Sequence, residues 1–268
     1  MVETELERKK ETLLKILRQY DGLVVAFSGG VDSTFLLAVA HSVLGDRLVA
    51  VTAQSPVHPA RESAFAVRFA KSRHIRHRLV RSQEMQQADF LANPLDRCYI
   101  CKKNILAQLL AIGRQLGVDR VAHGANVDDL GDYRPGMQAA EEAGVAAPLL
   151  EAGLTKDDIR RLSKQMNLET WDRPSMACLA TRIPYGTPIT ETALKMVDQA
   201  EELLLNLGFT TCRVRHHGDV CRIELLPDEL VKALEGDIRR TVAIELRRIG
   251  FRYVTVDLQG YVQGSMNP

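Results

Sequence analysis

Residues 24–34 read Val24-Val25-Ala26-Phe27-Ser28-Gly29-Gly30-Val31-Asp32-Ser33-Thr34, an apolar run that halts at two glycines and resumes with helical spacing. A strand that turns into a helix through paired glycines points several backbone N–H groups into one concave corner. The helix start behind them adds the positive end of its dipole. Such a corner holds phosphate. The run has neither the Gly-Lys-Ser/Thr ending of a Walker loop nor the Gly-x-Gly-x-x-Gly of a dinucleotide fold, so a P-loop NTPase and a dehydrogenase are both excluded. Ser28, Ser33 and Thr34 bring hydroxyls to the corner, and Asp32 brings a carboxylate able to hold Mg2+ on the phosphates. The alternative is a plain glycine turn between a strand and a helix.

The pattern on either side suits a parallel sheet. Residues 3–20 form an amphipathic helix, with Leu6, Leu13, Leu14 and Leu17 among charges. Apolar runs at 23–27, 47–53, 76–80, 120–123 and 147–150 are expected strands, and 35–44, 61–74, 103–117 and 155–167 are expected helices. Strands alternating with helices predict an α/β fold, a parallel sheet flanked by helices, with ligands at the carboxyl ends of the strands. Periodicity lapses over residues 172–190, where Pro174, Pro184, Gly186 and Pro188 punctuate a junction or functional loop. A helix, a hairpin turning at His216-His217-Gly218-Asp219, two helices and a last strand near 253–258 then make a smaller C-terminal α+β domain. The expected division is 1–186 and 187–268.

Charge narrows the partners. Lys and Arg total 35 against 34 Asp and Glu, giving a net charge of +1 and no general attraction to nucleic acid. The partner expected is a small-molecule nucleotide, with no stable nucleic acid bound. No apolar run approaches the roughly 18 residues a membrane crossing needs, and the charged opening residues do not read as a signal peptide. A cytoplasmic, self-associating protein with no membrane partner is expected.

Five cysteines, at 98, 101, 178, 212 and 221, make an odd set that suits thiol or metal chemistry better than a disulfide framework. Cys98 and Cys101 stand three apart at a helix start, on one face, where the dipole and neighbouring cations favour thiolates. That suits a metal, but a zinc site completed by histidine, a redox pair and two unrelated cysteines fit as well. Cys178 lies in the 172–190 loop, outside any apolar periodic run, with Arg173 and Arg182 near enough in sequence to favour its thiolate. Cys212 and Cys221 flank the hairpin turn and are expected to pack. Arg213 and Arg215 alternate along one strand, so both guanidiniums share a face and could fork onto one phosphate, with Arg182 as a third candidate. A solvated arginine face is the alternative. Glu201 and Glu224 lie nearby in sequence and could bind a metal, or could simply be solvated.

The Ser28–Ser33 run resembles the signature of the PP-loop ATP pyrophosphatases, which split ATP between its α and β phosphates. That resemblance implies adenine near Ala53, with Gly124 and Asp128 facing the nucleotide. The PP-loop together with Asp132-Tyr133-Arg134-Pro135-Gly136 and the run from Pro174 through Cys178 to Gly186 is similar to the LarE family. Such enzymes adenylylate a carboxylate of a pyridinium dicarboxylate mononucleotide and insert sulfur on the way to a nickel-pincer nucleotide cofactor. The resemblance implies ATP and Mg2+ as cofactors, Cys178 as the catalytic cysteine, and the substrate phosphate on the arginines. It also implies, from three-cysteine relatives, a [4Fe-4S] cluster on Cys98, Cys101 and Cys178, with Zn2+ as the alternative metal. Other PP-loop enzymes, a tRNA thiolase or an amide-forming synthetase, and a nucleotide sensor without turnover are the rival readings.

Overall fold

The computed structural model describes residues 4–131, 135–174, 177–262 and 264–266. They fall into two compact units. The first comprises residues 1–55, 60–86 and 96–176, and the second 56–59, 87–95 and 177–268. The stretch 177–186, with Cys178 and Arg182, thus belongs to the second unit. Asp132, Tyr133 and Arg134 lie outside the described residues.

The first unit runs α1 (Glu5–Arg18), β1 (Leu23–Ala26), α2 (Val31–Leu44), β2 (Leu48–Gln54), α3 (Ala60–Ser72) and β3 (Arg76–Arg81). In the second unit lies α4 (Ala88–Leu91), a single turn. The first unit then continues through α5 (Arg97–Leu116), β4 (Val121–Ala122), α6 (Pro135–Glu142), α7 (Pro148–Glu151) and α8 (Lys156–Gln165). Its four strands are all parallel, in the order β3-β2-β1-β4. Strand order therefore reverses between β1 and β4, and that reversal opens a crevice at their carboxyl ends. Helix α2 is apolar on nearly every side because it is covered all round, packing against α1, α8 and the sheet.

Two expectations for this unit need correction. Residues 147–150 are not a strand. Pro148 stands in the first turn of α7, where its fixed φ and missing N–H favour a helix start, and among the described residues pairing of this stretch to the sheet is limited to one bridge between Ala122 and Ala146. Helix α5 begins at Arg97 rather than 103, which places Cys98 and Cys101 in its opening turns.

The second unit contains α9 (Glu191–Asn206), β5 (Cys212–His217), β6 (Val220–Leu225), α10 (Leu230–Leu234), α11 (Gly236–Ile249) and β7 (Tyr253–Val256). Strands β5 and β6 form the expected hairpin, and β7 joins β6 in parallel. Cys212 and Cys221 are buried in its core with Val214, Ile223 and Phe251, and burial pushes the Cys221 thiol up to about 12. The loop before α9 is ordered by its neighbours. Asn93, wholly buried with φ +57°, donates Nδ2 to the carbonyls of Ile183, Pro184 and Thr187, and its own carbonyl accepts from Gly186 N. Among the described residues no helix is long and apolar enough to cross a membrane.

Candidate functional site

In the first unit the site forms where β1 gives way to α2. Gly29 adopts φ +82°, and a Cβ there would meet Phe65 Cδ1 at 2.9 Å, so only glycine fits both the backbone and the space. Gly30 caps α2, its carbonyl accepting from Thr34 N at 3.0 Å and from Ser33 Oγ at 3.2 Å. Ser28 Oγ lies 3.1 Å from Ser33 Oγ and accepts from Gly30 N at 3.4 Å. The loop is preorganised before any ligand arrives.

Gly124, just past β4, closes the other wall of the crevice. A Cβ on it would come within 2.9 Å of Ser33 N and 3.2 Å of Asp32 Cβ, so the backbone after β4 lies directly against the head of α2. Asp32 and Asp128 are brought together by a residue that carries no motif. Lys156, the first residue of α8, places its Nζ on Asp32 Oδ2 and donates its backbone N to Asp128 Oδ2 at 2.6 Å. Ala53, half-buried near the end of β2, lies one residue past Thr52, whose hydroxyl donates to Phe27 O at 2.7 Å.

Two polar atoms at the head of α2 are buried with no hydrogen-bond partner, Asp32 Oδ1 and Thr34 Oγ1. A buried acceptor left unpaired is costly, and a cation resolves it. The donor set therefore fits Mg2+ on Asp32, the second carboxylate oxygen being occupied by Lys156.

Cys98 is exposed and Cys101 half-buried on α5. Beside them Lys102 is pushed below its ordinary pKa by burial, against the opposing pull of Cys101 and Asp129. Burial, with the charge of Lys102 nearby, lowers His123 to about 3, so His123 is neutral at physiological pH. Two cysteines on one helix face have the right chemistry for a soft metal. The third expected ligand, Cys178, belongs to the second unit, and among the described residues no three His, Cys, Asp or Glu side chains gather in a geometry that holds a metal ion.

In the second unit Cys178 is half-buried at the entry to a 3-10 turn, Leu179–Arg182. Arg182 fixes that turn. Fully buried, it donates Nη1 to the carbonyls of Ala177 and Cys178 at 3.0 and 3.2 Å and to Thr181 Oγ1 at 2.8 Å, and it grips Glu201 through Nε and Nη2 at 2.8 and 3.0 Å. Burial alone would weaken both charges. Their mutual attraction outweighs it, holding Glu201 below the ordinary carboxylate range and Arg182 above its own. Glu201 also accepts from Val214 N at 3.2 Å. This geometry pairs Arg182 with Glu201 and ties the pair to the cysteine turn.

Arg213 and Arg215 do share a strand, but neither faces open solvent, each being 5% exposed. Arg215 donates to Glu224 Oε2 at 2.6 Å, to Thr181 O and to Ser265 Oγ, leaving its Nε buried without a partner. Arg213 stacks on Tyr261 at 5.0 Å, and burial together with the charge of Arg182 lowers its pKa. Glu224 binds Arg215 and Arg222 at once. These buried cations are a more selective arrangement than a solvated arginine face.

No protein-family model matches the chain. Individual relatives do. An uncharacterised protein of Synechocystis sp. is 40% identical over 262 residues, 98% of each chain. The pyridinium-3,5-bisthiocarboxylic acid mononucleotide synthase of Lactiplantibacillus plantarum is 37% identical over 269 residues, covering 98% of this chain and 95% of its own. The chain belongs to the LarE family. As a LarE protein it is a sulfur-transferring enzyme with a PP-loop α/β fold. The wider superfamily is visible in the tRNA-specific 2-thiouridylase MnmA of Rickettsia africae, 26% identical over 190 residues, 57% of this chain and 52% of that one. What motif reasoning missed in this LarE chain are Lys156, which has no signature spacing, and Glu201 as the partner that immobilises Arg182.

Proposed function

We propose that this enzyme adenylylates a carboxylate of a pyridinium dicarboxylate mononucleotide and converts it to the thiocarboxylate. The full-length likeness to the Lactiplantibacillus synthase carries this reading. In the first unit, Gly29, Gly30 and the head of α2, with Ser28, Ser33 and Thr34, bind the leaving pyrophosphate. Asp32, one oxygen of which is buried without a hydrogen-bond partner, would hold Mg2+, which would neutralise charge on the phosphates. Adenine lies near Ala53, and Gly124 and Asp128 line the nucleotide. The substrate carboxylate oxygen attacks the α-phosphorus, pyrophosphate leaves, and the acyl adenylate is then open to sulfur, with AMP departing as the C–S bond forms.

In the second unit, Arg213 and Arg215 bind the substrate phosphate, and the Arg182–Glu201 pair holds the Cys178 turn in one conformation. Cys98, Cys101 and Cys178 would hold a [4Fe-4S] cluster, whose chemistry is to present a thiophilic iron to added sulfide. The reading includes a cytoplasmic homo-oligomer, its contacts drawn from exposed apolar residues of the second unit such as Val231, Leu234 and Ile244. The test is direct. Purified protein given Mg·ATP, the dicarboxylate mononucleotide and sulfide forms AMP and pyrophosphate in step with thiocarboxylate; absence of pyrophosphate release with that substrate overturns the reading.

A further inference from the structure

Before the chain leaves the first unit for Cys178 it is fastened to the glycine loop through one aromatic ring. Arg173 and Pro174 are the last described residues of that unit, and Cys178 follows in the next. The Arg173 guanidinium lies over the Phe65 ring, 3.8 Å from its centroid. Phe65 is 1% exposed, and its Cδ1 is the atom that a Cβ on Gly29 would meet. Glu62, three residues before Phe65 on α3, joins the contact. Its Oε2 lies 3.4 Å from the same Gly29 position, and burial raises its carboxyl pKa against the opposing pull of Arg173 and Arg61. The backbone is held as firmly as the side chain. Arg160 on α8 donates Nη1 to Trp171 O at 3.0 Å and Nη2 to Arg173 O at 2.6 Å, and Arg173 N donates to Thr170 O at 3.1 Å. Lys164, one turn further along α8, covers the Trp171 ring at 4.3 Å. Pro174 disfavours a helical backbone at Arg173. A cation is a poor choice for filling space on a buried ring, since an aliphatic side chain would cover Phe65 without desolvating a charge. What the planar guanidinium adds is a fixed bearing between the glycine loop and the point at which the chain sets out for Cys178.

We propose that Arg173 is a positioning residue for the sulfur step: stacked on the Phe65 ring that packs against Gly29, it fixes where the Cys178 segment departs from the adenylylating site. Acting through Phe65 and the backbone, it is needed for sulfur transfer and not for adenylylation. This rests on the reading of the glycine loop and of Cys178 given above, and it holds whether Cys178 donates its own sulfur or ligates a cluster. Proximity in sequence suggests that Arg173 serves the Cys178 thiolate; in the structure its charge is engaged by Phe65 and Glu62 instead.

The experiment separates the two half-reactions. Exchange of labelled pyrophosphate into ATP, dependent on the dicarboxylate mononucleotide, reads adenylylation. Thiocarboxylate formed in a single turnover with added sulfide reads sulfur transfer. Arg173→Met keeps exchange within about twofold of wild type and slows thiocarboxylate formation by about 10- to 100-fold, the loss expected when a reacting group is misplaced by about an ångström. Arg160→Met, which frees the carbonyls of Trp171 and Arg173 without touching the ring, gives the same split. Arg173→Lys recovers part of the rate, because an ammonium is also attracted to a ring face. Should Arg173→Met fail to fold, Arg160→Met and Arg173→Lys decide on the same two readouts. Equal loss of both half-reactions, no loss in either, or a lysine variant no faster than the methionine one overturns the proposal while leaving the adenylylating site intact. Absence of substrate-dependent exchange in the wild-type chain overturns the reading of the glycine loop and the proposal with it.

Discussion

Both carboxylate oxygens of Glu201 are held by Arg182, at 2.8 and 3.0 Å, with neither side chain reaching solvent. Such a pair is expensive to break from one side. Arg182→Ala leaves a buried carboxylate alone and is expected to cost about 3–5 kcal/mol, read by urea unfolding. It also releases the carbonyls of Ala177 and Cys178, so the cysteine turn loosens with the fold. The double variant Arg182→Met with Glu201→Leu removes both charges and is expected to be less destabilised than either single loss of partner. Equal damage in the double variant would count against the pair as the source of the effect.

The same pair makes an acid-sensitive contribution. Arg182 holds the folded carboxyl of Glu201 below the ordinary glutamate value of about 4.3. A lowered folded pKa means stability fully present above that value and lost as pH falls through the folded pKa. Glu201→Gln removes this term, so its stability is expected to be lower near neutrality and to decline less steeply below about pH 4. Parallel acid profiles for the two proteins would refute the assignment.

The phosphate corner was readable in the sequence because glycine is demanded by backbone geometry. Gly29 with φ +82° and Gly124 against Ser33 N permit no side chain, and such positions announce themselves. The parallel sheet followed from strands alternating with helices. Residues 147–150 misled because a short apolar run is shared by strands and buried helical turns, and Pro148 settles it only once its position in α7 is known. The roles of Arg182 and Glu201 were illegible for another reason. Their pairing depends on a 19-residue separation closed by tertiary packing, and local charge patterns describe only neighbours on one element. Lys156 meets Asp32 across a still longer interval and has no periodicity to mark it.

Gly124→Ala tests the crevice itself. A methyl group 2.9 Å from Ser33 N and 3.1 Å from Asp32 C must push the backbone after β4 away from the head of α2. Overpacking of this kind is expected to cost about 1–3 kcal/mol in stability, and it moves Asp32 relative to the glycine loop. Nucleotide affinity is therefore expected to fall by more than the phosphorylated substrate's affinity. Calorimetric titration of both ligands checks the difference, and equal losses would mean a general loss of folding.

Arg213→Lys separates charge from geometry at the proposed substrate phosphate. Lysine keeps the positive charge but loses the planar fork that stacks on Tyr261. The expected result is a rise in KM for the mononucleotide of about tenfold with ATP affinity unchanged. A matching loss for ATP would place the damage elsewhere.

The cysteines decide how often one molecule can deliver sulfur. If Cys178 gives up its own sulfur, each chain acts once, because its Cβ–S bond breaks and the residue becomes dehydroalanine. If Cys98, Cys101 and Cys178 hold a cluster, the protein keeps every sulfur atom and added sulfide sustains repeated turnover. Anaerobically prepared protein is expected to contain iron, to absorb in the visible range, and to lose both in Cys98→Ser, Cys101→Ser and Cys178→Ser. Mass spectrometry of the intact chain after turnover is expected to show no change. A loss of about 34 Da at Cys178, the elements of hydrogen sulfide, would establish the sacrificial route. So would full single-turnover activity in Cys98→Ser and Cys101→Ser alongside none in Cys178→Ser, because a donor thiol needs no partners on α5 whereas a cluster ligand does.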